Sequence, residues 1–220
     1  MRPQLQLLAF DAYGTLFDVH SVVTTCEALF PGRGGELSRL WRQKQLEYSW
    51  LRALMGRYVD FWSVTEEALT YAMRTLELDV AWAAEVMESY TQLELYPEVK
   101  ASLGALSAYE RVILSNGSPR MLNEVVSAAG LTGELVAVLS ADEVRSFKPD
   151  PRVYALVLEG GLDRASIGFI SANAWDVSGA KAFGFWTCWL NRSGAPPEAL
   201  GFSPDLITTD LEALVRYLGS

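Results

Sequence analysis

Four short apolar runs set the limits on what this chain can fold into. "LQLLAF" stops at Asp11, "RVILS" at Asn116, "IGFIS" at Ala172 and "FWTCWL" at Asn191. Runs this short, apolar on both faces and opening into small or polar residues, are the pattern of strands buried from two sides. Between the later ones lie "PRMLNEVVSAAGL" after Ser118 and "DPRVYALVLEGGL" from Asp150, both at helical spacing and both ending at Gly, where a helix commonly stops. Strand and helix in alternation predict an α/β fold with a doubly wound parallel sheet, Rossmann-like, covered by helices on both faces.

One segment has a different texture. From about Val19 to Leu95 the chain carries apolar residues at helical spacing with almost no strand signal, as in "LSRLWRQKQLEYSWLRALMGRYVDFWSVTEEALTYAMRTL". It reads as a helical insertion, so residues 1–17 and 96–220 are expected to form the core and 18–95 a helical cap. Half of the 220 residues are apolar, enough for a core of that size.

Charge excludes several partners. With 18 basic against 27 acidic residues, the net charge is -9 and no basic run interrupts it, so no extended surface for nucleic acid or an anionic membrane is expected. The N-terminal "MRPQLQLLAF" has neither the apolar core nor the cleavage site of a signal peptide, and no stretch approaches the roughly 18 apolar residues of a membrane span; a cytoplasmic protein is expected. Cys26 and Cys188 lie far apart with no CxxC spacing, which gives a disulfide framework or zinc site little support. His20 is the single histidine. Acid–base chemistry must therefore come from carboxylate, lysine or tyrosine.

Ligands of open parallel sheets bind beyond the carboxyl ends of the strands. Asp11, Ser115 with Asn116, and Ser171 with Asn173 and Asp176 all fall at such ends, so three separated stretches can meet at one place. A structural strand has no need of the carboxylate at Asp11.

Taken in order, "DAYGTLFD", "LSNGSP", "SFKPDP" and "SANAWDVSGA" resemble the motifs of the haloacid dehalogenase superfamily, and the insertion "LWRQKQLEYSW…RYVDFW" is similar to the cap of its L-2-haloacid dehalogenase branch. The likeness covers nearly the whole chain. Most members of the superfamily are magnesium-dependent phosphatases with a DxDxT first motif and an acid pair in the fourth. Here the second Asp position is Tyr13, and the acid expected four residues before Asp176 is Ala172. Both substitutions remove what phosphoryl transfer around Mg²⁺ requires, and they leave the nucleophile in place. A carboxylate that displaces halide from an sp³ carbon needs no general acid, because halide leaves without a proton.

The resemblance thus implies a hydrolytic (S)-2-haloacid dehalogenase that needs no cofactor and no metal, takes a short 2-haloacid and releases halide. In it Asp11 is the nucleophile and forms an ester with C2 of the substrate, inverting that carbon. Thr15 fixes the carboxylate, Arg42 meets the departing halide with Asn116 sharing the task, and Ser115 anchors the substrate carboxylate together with strand-end N–H groups. Ala12, Tyr13, Gln43, Leu46, Phe61 and Trp175 complete the substrate pocket. Lys148 keeps Asp11 ionised, Tyr154 positions that network, and Asp176 with Lys148, held by Ser171 and Asn173, orients the water that hydrolyses the ester. Which group takes the water's proton stays open. A homodimer through "YSWLRALMGRYVDFW" is also implied. The helix-to-strand connection in "LGALSAYERVILSN" is shorter than the family's usual one.

Without the resemblance the same residues have plainer readings. Arg42 is then a solvated helix cation, Lys148 a surface loop residue, Asp176 a helix N-cap, and Tyr13, Leu46, Phe61, Trp175 and Tyr154 are packing. A phosphatase of the same fold, and an inactive superfamily member serving as an interaction module, are the competing functions.

Overall fold

A computed structural model describes residues 3–219. The sheet has six parallel strands in the order β3-β2-β1-β4-β5-β6: β1 (Leu7–Phe10), β2 (Glu110–Ser115), β3 (Ala137–Ser140), β4 (Ile167–Ser171), β5 (Trp186–Leu190) and β6 (Leu206–Thr208). The four anticipated strands are β1, β2, β4 and β5. The edge strands β3 and β6 were not foreseen; β3 is half-buried for most of its length and Ile207 of β6 is exposed, so neither carries the unbroken apolar run of a strand covered on both sides.

Alternation along the central strands divides the core. Leu8 and Phe10 of β1 and Ile113 of β2 face one cluster, which takes in α5 (Val99–Ala105), α6 (Pro119–Ala128) and α9 (Leu211–Leu218). Leu7, Ala9, Val112 and Leu114 face the other, against α7 (Pro151–Ala155) and α8 (Ala174–Phe183). Helices on both faces are the reason these strands read as continuous apolar runs. The pattern after Asp150 makes only a short α-helix before tightening into a 3₁₀ turn over Leu156–Gly160, where the Gly160–Gly161 pair ends it. From the end of α5, residues Leu106 to Tyr109 suffice to reach β2, and the turn is closed by a Tyr109 N–H to Leu106 carbonyl bond of 3.0 Å.

Between β1 and α5 the chain is helical: α1 (His20–Leu29), α2 (Gly34–Met55), α3 (Phe61–Thr75) and α4 (Ala83–Glu88), with short 3₁₀ turns. Its exit and return lie side by side. Phe17 pairs with Leu95 in an antiparallel bridge, and the Asp18 and Tyr96 N–H groups bond the Glu94 and Leu16 carbonyls at 2.7 and 3.0 Å.

Candidate active site

Asp11 directly follows β1, and its own N–H bonds the Ile170 carbonyl of β4 at 2.9 Å, so the sheet fixes where its side chain starts. The chain then turns sharply. Gly14 lies in the left-handed region at φ 83°, open to glycine at no steric cost, and this turn brings the Thr15 hydroxyl back to donate to Asp11 Oδ2 at 3.0 Å. Asn173 Nδ2 and Ser171 Oγ donate to the same oxygen at 2.8 and 3.4 Å. Oδ1, by contrast, accepts only from Lys148 Nζ at 3.1 Å among the described residues.

Lys148 is 1% exposed and stands between two acids, its Nζ 3.1 Å from Asp11 Oδ1 and 2.9 Å from Asp176 Oδ2. Burial works against the ammonium, but Asp11 and Asp176 outweigh it and hold its pKa above the ordinary lysine value. One ammonium cannot neutralise both carboxylates. Asp176, fully buried, is pushed up to about 6 by that burial, with Lys148 pulling it down and Asp11 raising it further. Tyr154 donates to Asp176 Oδ1 at 2.7 Å; burial and then the neighbouring Asp176 charge push the phenol well above its usual range, so it stays a donor. A glycine makes that bond possible, for a methyl on Gly179 would stand 2.5 Å from the Tyr154 hydroxyl oxygen and 2.6 Å from the Pro149 Cβ.

Asp176 does not cap α8. It lies inside the first turn, and the N-cap position belongs to Asn173, whose side chain makes no capping bond. Lys148 likewise is no surface residue: its backbone N–H bonds Asn116 Oδ1 at 2.8 Å, tying the "SFKPDP" loop to the "SNG" loop. That bond commits the Asn116 oxygen and leaves its Nδ2 to serve as donor. Ser115 Oγ accepts from the Gly117 N–H at 3.2 Å.

Asp11, Tyr13, Arg42, Leu46, Phe61, Ser115, Asn116, Lys148, Asn173 and Trp175 enclose one cavity of about 10 Å³, close to the space of a single water. Thr15, Ser171, Tyr154 and Asp176 stand behind this wall. Ala12 is buried, but its contribution is a carbonyl that accepts the N–H groups of Thr15, Leu16 and Phe17. Gln43 is not brought to the cavity: it is exposed on α2, because each residue turns about 100° around a helix. The glutamine that matters there is Gln45, which is buried and accepts from Arg42 Nη1 at 2.6 Å while its Nε2 donates to Thr65 Oγ1 at 2.7 Å. The spacing of Arg42 and Gln45 on one helix face was the available signal. Arg42 Nη2 reaches across to Asn173 Oδ1 at 3.4 Å. Tyr13 carries a buried hydroxyl with no partner among the described residues, and burial first of all pushes its pKa far up, so it stays protonated and is a weaker acid than the carboxyl a phosphatase keeps at that position.

This arrangement suits covalent catalysis by a carboxylate: one oxygen is saturated with donors, the other carries a single ammonium, and an arginine stands across a small space. The family model of a haloacid dehalogenase-like hydrolase matches residues 5–184. The chain is 51% identical over 214 residues to an (S)-2-haloacid dehalogenase of Pseudomonas sp. (strain YL), covering 95% of this chain and 92% of that protein. It is 46% identical to haloacetate dehalogenase H-2 of Moraxella sp. (strain B), covering 98% of each. A solved structure of L-2-haloacid dehalogenase from Xanthobacter autotrophicus with chloropropionic acid covalently bound aligns with a TM-score of 0.92 at 43% identity, over 98% of this chain and 99% of that one. A motif order read from the sequence, a strand-end carboxylate and a match along most of the chain lead to one conclusion: this protein belongs to the haloacid dehalogenase-like hydrolases.

Proposed function

We propose that this chain is an (S)-2-haloacid dehalogenase that hydrolyses short 2-haloalkanoic acids to (R)-2-hydroxy acids through an ester on Asp11. The observation that carries this reading is the asymmetry of the Asp11 carboxylate. With Oδ2 held by Thr15, Ser171 and Asn173, Oδ1 is the oxygen with a lone pair to spend on carbon.

In the first step Oδ1 attacks C2 in line with the carbon–halogen bond, the new C–O bond forms as halide leaves with the bonding pair, and the centre inverts. Keeping the three atoms collinear is the large contribution; orientation of this kind is worth about 7–11 kcal/mol in well-aligned cases. Arg42 and the Asn116 amide receive the halide, the first as a cation in a confined site. Ser115 anchors the substrate carboxylate, and Tyr13, Leu46, Phe61 and Trp175 wall the acyl chain. In the second step water, giving up a proton to a base, adds to Cγ of the Asp11 ester; the Cγ–Oδ1 bond then breaks, and Oδ1 leaves on C2 and takes up a proton as the alcohol. Asp176, ionised above about pH 6 and joined to Asp11 through the Lys148 ammonium, is the base we assign to that water. Tyr13 and Ala172 stand where a phosphatase keeps acids, and the Lys148 ammonium fills the space between Asp11 and Asp176.

We further propose that residues 18–95 act as the cap, with Arg42 its delivered group. A homodimer through α2 and α3 has the support of their exposed Leu51, Leu54, Met55 and Tyr71, Leu54 being 85% exposed; sedimentation at micromolar concentration checks it. A cytoplasmic setting is consistent with two unpaired, buried cysteines, and no described helix is long and apolar enough to cross a membrane.

The functional test is halide release from (S)- and (R)-2-chloropropionate with and without EDTA. Release from the (S) form alone, unaffected by EDTA, with (R)-lactate as product, is expected. Phosphatase activity lost on chelation, without halide release, contradicts the proposal.

A further inference from the structure

Arg192 lies just past the carboxyl end of β5, in "LNRSG", a stretch to which none of the chemistry above assigns a part. Its Nη2 donates to the Thr15 carbonyl at 3.0 Å, its Nη1 pairs with Glu98 Oε1 at 2.7 Å, and its guanidinium carbon stands 3.8 Å from the centre of the Tyr96 ring. Arginine and glutamate here are mostly buried, with side chains 18% and 13% exposed. All three partners belong to the two crossings where the helical segment leaves and rejoins the sheet, the same crossings joined by the Phe17–Leu95 bridge and the Asp18–Glu94 and Tyr96–Leu16 backbone bonds. A planar guanidinium can bond a carbonyl, pair with a carboxylate and stack on a ring at once. The point charge of a lysine cannot.

Thr15 carries this clamp to the chemistry. Its hydroxyl donates to Asp11 Oδ2 at 3.0 Å and accepts from the Ala172 N–H at 2.8 Å, so the place of its backbone sets where that donor stands. We infer that Arg192 is a positioning residue for the dehalogenation: it fastens both crossings to the strand ends and, through Thr15, holds the Asp11 carboxylate at its angle of attack. This rests on the reading of Asp11 as nucleophile.

The test is a double-mutant cycle between R192Q and T15V, with R192K alongside. Initial halide release from (S)-2-chloropropionate is measured per folded enzyme, at a temperature below every variant's thermal transition. R192Q is expected to lower kcat about 10-fold to 100-fold, the scale of a small misplacement transmitted from a distance, with KM within about twofold. R192K, retaining charge but not the fork, recovers only part. In the T15V background the R192Q loss largely disappears, because the two act as one unit. Should R192Q fail to accumulate as folded protein, the same coupling is read from R192K. Variants that melt earlier yet keep kcat, or losses that multiply in full with T15V, overturn the inference and leave Arg192 a purely structural residue. A wild-type enzyme that releases no halide overturns the proposed function first, and this inference with it.

Discussion

The strand-end crown and the helical segment that covers it are built on opposite terms. In the crown, Asp11, Thr15, Lys148, Ser171, Asn173 and Asp176 come from three stretches of sequence and bond chiefly to one another. Asp11 alone accepts from four side chains. Among the described residues the helical segment meets this crown through a single hydrogen bond, Arg42 to Asn173 at 3.4 Å, with Trp50 of α2 against Trp175 of α8 at 5.4 Å between ring centres. Behind Arg42 the support is internal to the helices, running through Gln45 to Thr65. Asp11 is thus held by strand-end donors, while Arg42, the group proposed to meet halide, stands on a helical segment whose other ties to the strand-end loops include the Tyr58 hydroxyl donating to Asp142 Oδ1 at 2.5 Å and the rings of Tyr58 and Phe61 against Phe147. The cavity of about 10 Å³ is smaller than a haloacid, so its walls must move apart on substrate entry.

That contrast can be broken most forcefully at Asp11. D11N keeps the shape and most of the donor geometry but removes the ionised oxygen, and halide release should fall on the order of 10⁴-fold or more, with little change in melting temperature. Lys148 comes next. K148M leaves two buried carboxylates without their ammonium, which should destabilise the fold by about 3–5 kcal/mol at pH 7.5. The loss should shrink at pH 5, since Asp176, already raised to about 6 by burial, is then protonated and its charge no longer has to be buried. Urea unfolding at the two pH values reads both quantities.

On the helical side the effect should be confined to the departing halide. R42A is expected to cost about 10²–10³-fold in kcat, the usual loss for one preorganised donor, and more for chloride than for bromide, because the poorer leaving group depends more on its acceptor. The pH profile probes the crown again, more gently. As pH drops through about 6, Asp176 gains a proton and ceases to serve the ester hydrolysis, so log kcat should fall with slope near one below that value; D176N should abolish this limb and accumulate the Asp11 ester. The smallest change is G179A. Its methyl meets the Tyr154 hydroxyl oxygen at 2.5 Å, so Tyr154 must move off Asp176, at a cost of about 1–3 kcal/mol in stability and a visible shift of the pH limb.

Legibility in the sequence followed the same division. Strands buried on both faces announce themselves as apolar runs, and a polar residue at the end of such a run is conspicuous, which is why Asp11, Ser115 and Ser171 stand out in the sequence, with Asp176 five residues beyond the last. Lys148 and Arg42 have no such setting; only the order of the motifs singled them out. On α2 the reading reached the neighbourhood of Arg42 but chose Gln43, which faces solvent, over Gln45. Polar residues on the buried face of a helix look like surface residues until the partner helix is placed. Thr65 is the same case, accepting from Gln45 while its carbonyl takes the Trp41 indole N–H at 2.8 Å. Arg192 was invisible because its partners Thr15, Tyr96 and Glu98 are brought together only by the crossing of two chain segments.

The most direct test of the ester route is a single turnover with (S)-2-chloropropionate in H₂¹⁸O, enzyme in excess, followed by mass analysis of the lactate and of the peptide holding Asp11. Attack by Asp11 predicts lactate whose new hydroxyl oxygen is ¹⁶O and an Asp11 peptide heavier by one label. Label in the first-turnover lactate, with Asp11 unlabelled, would mean that water attacks C2 directly and would contradict the account.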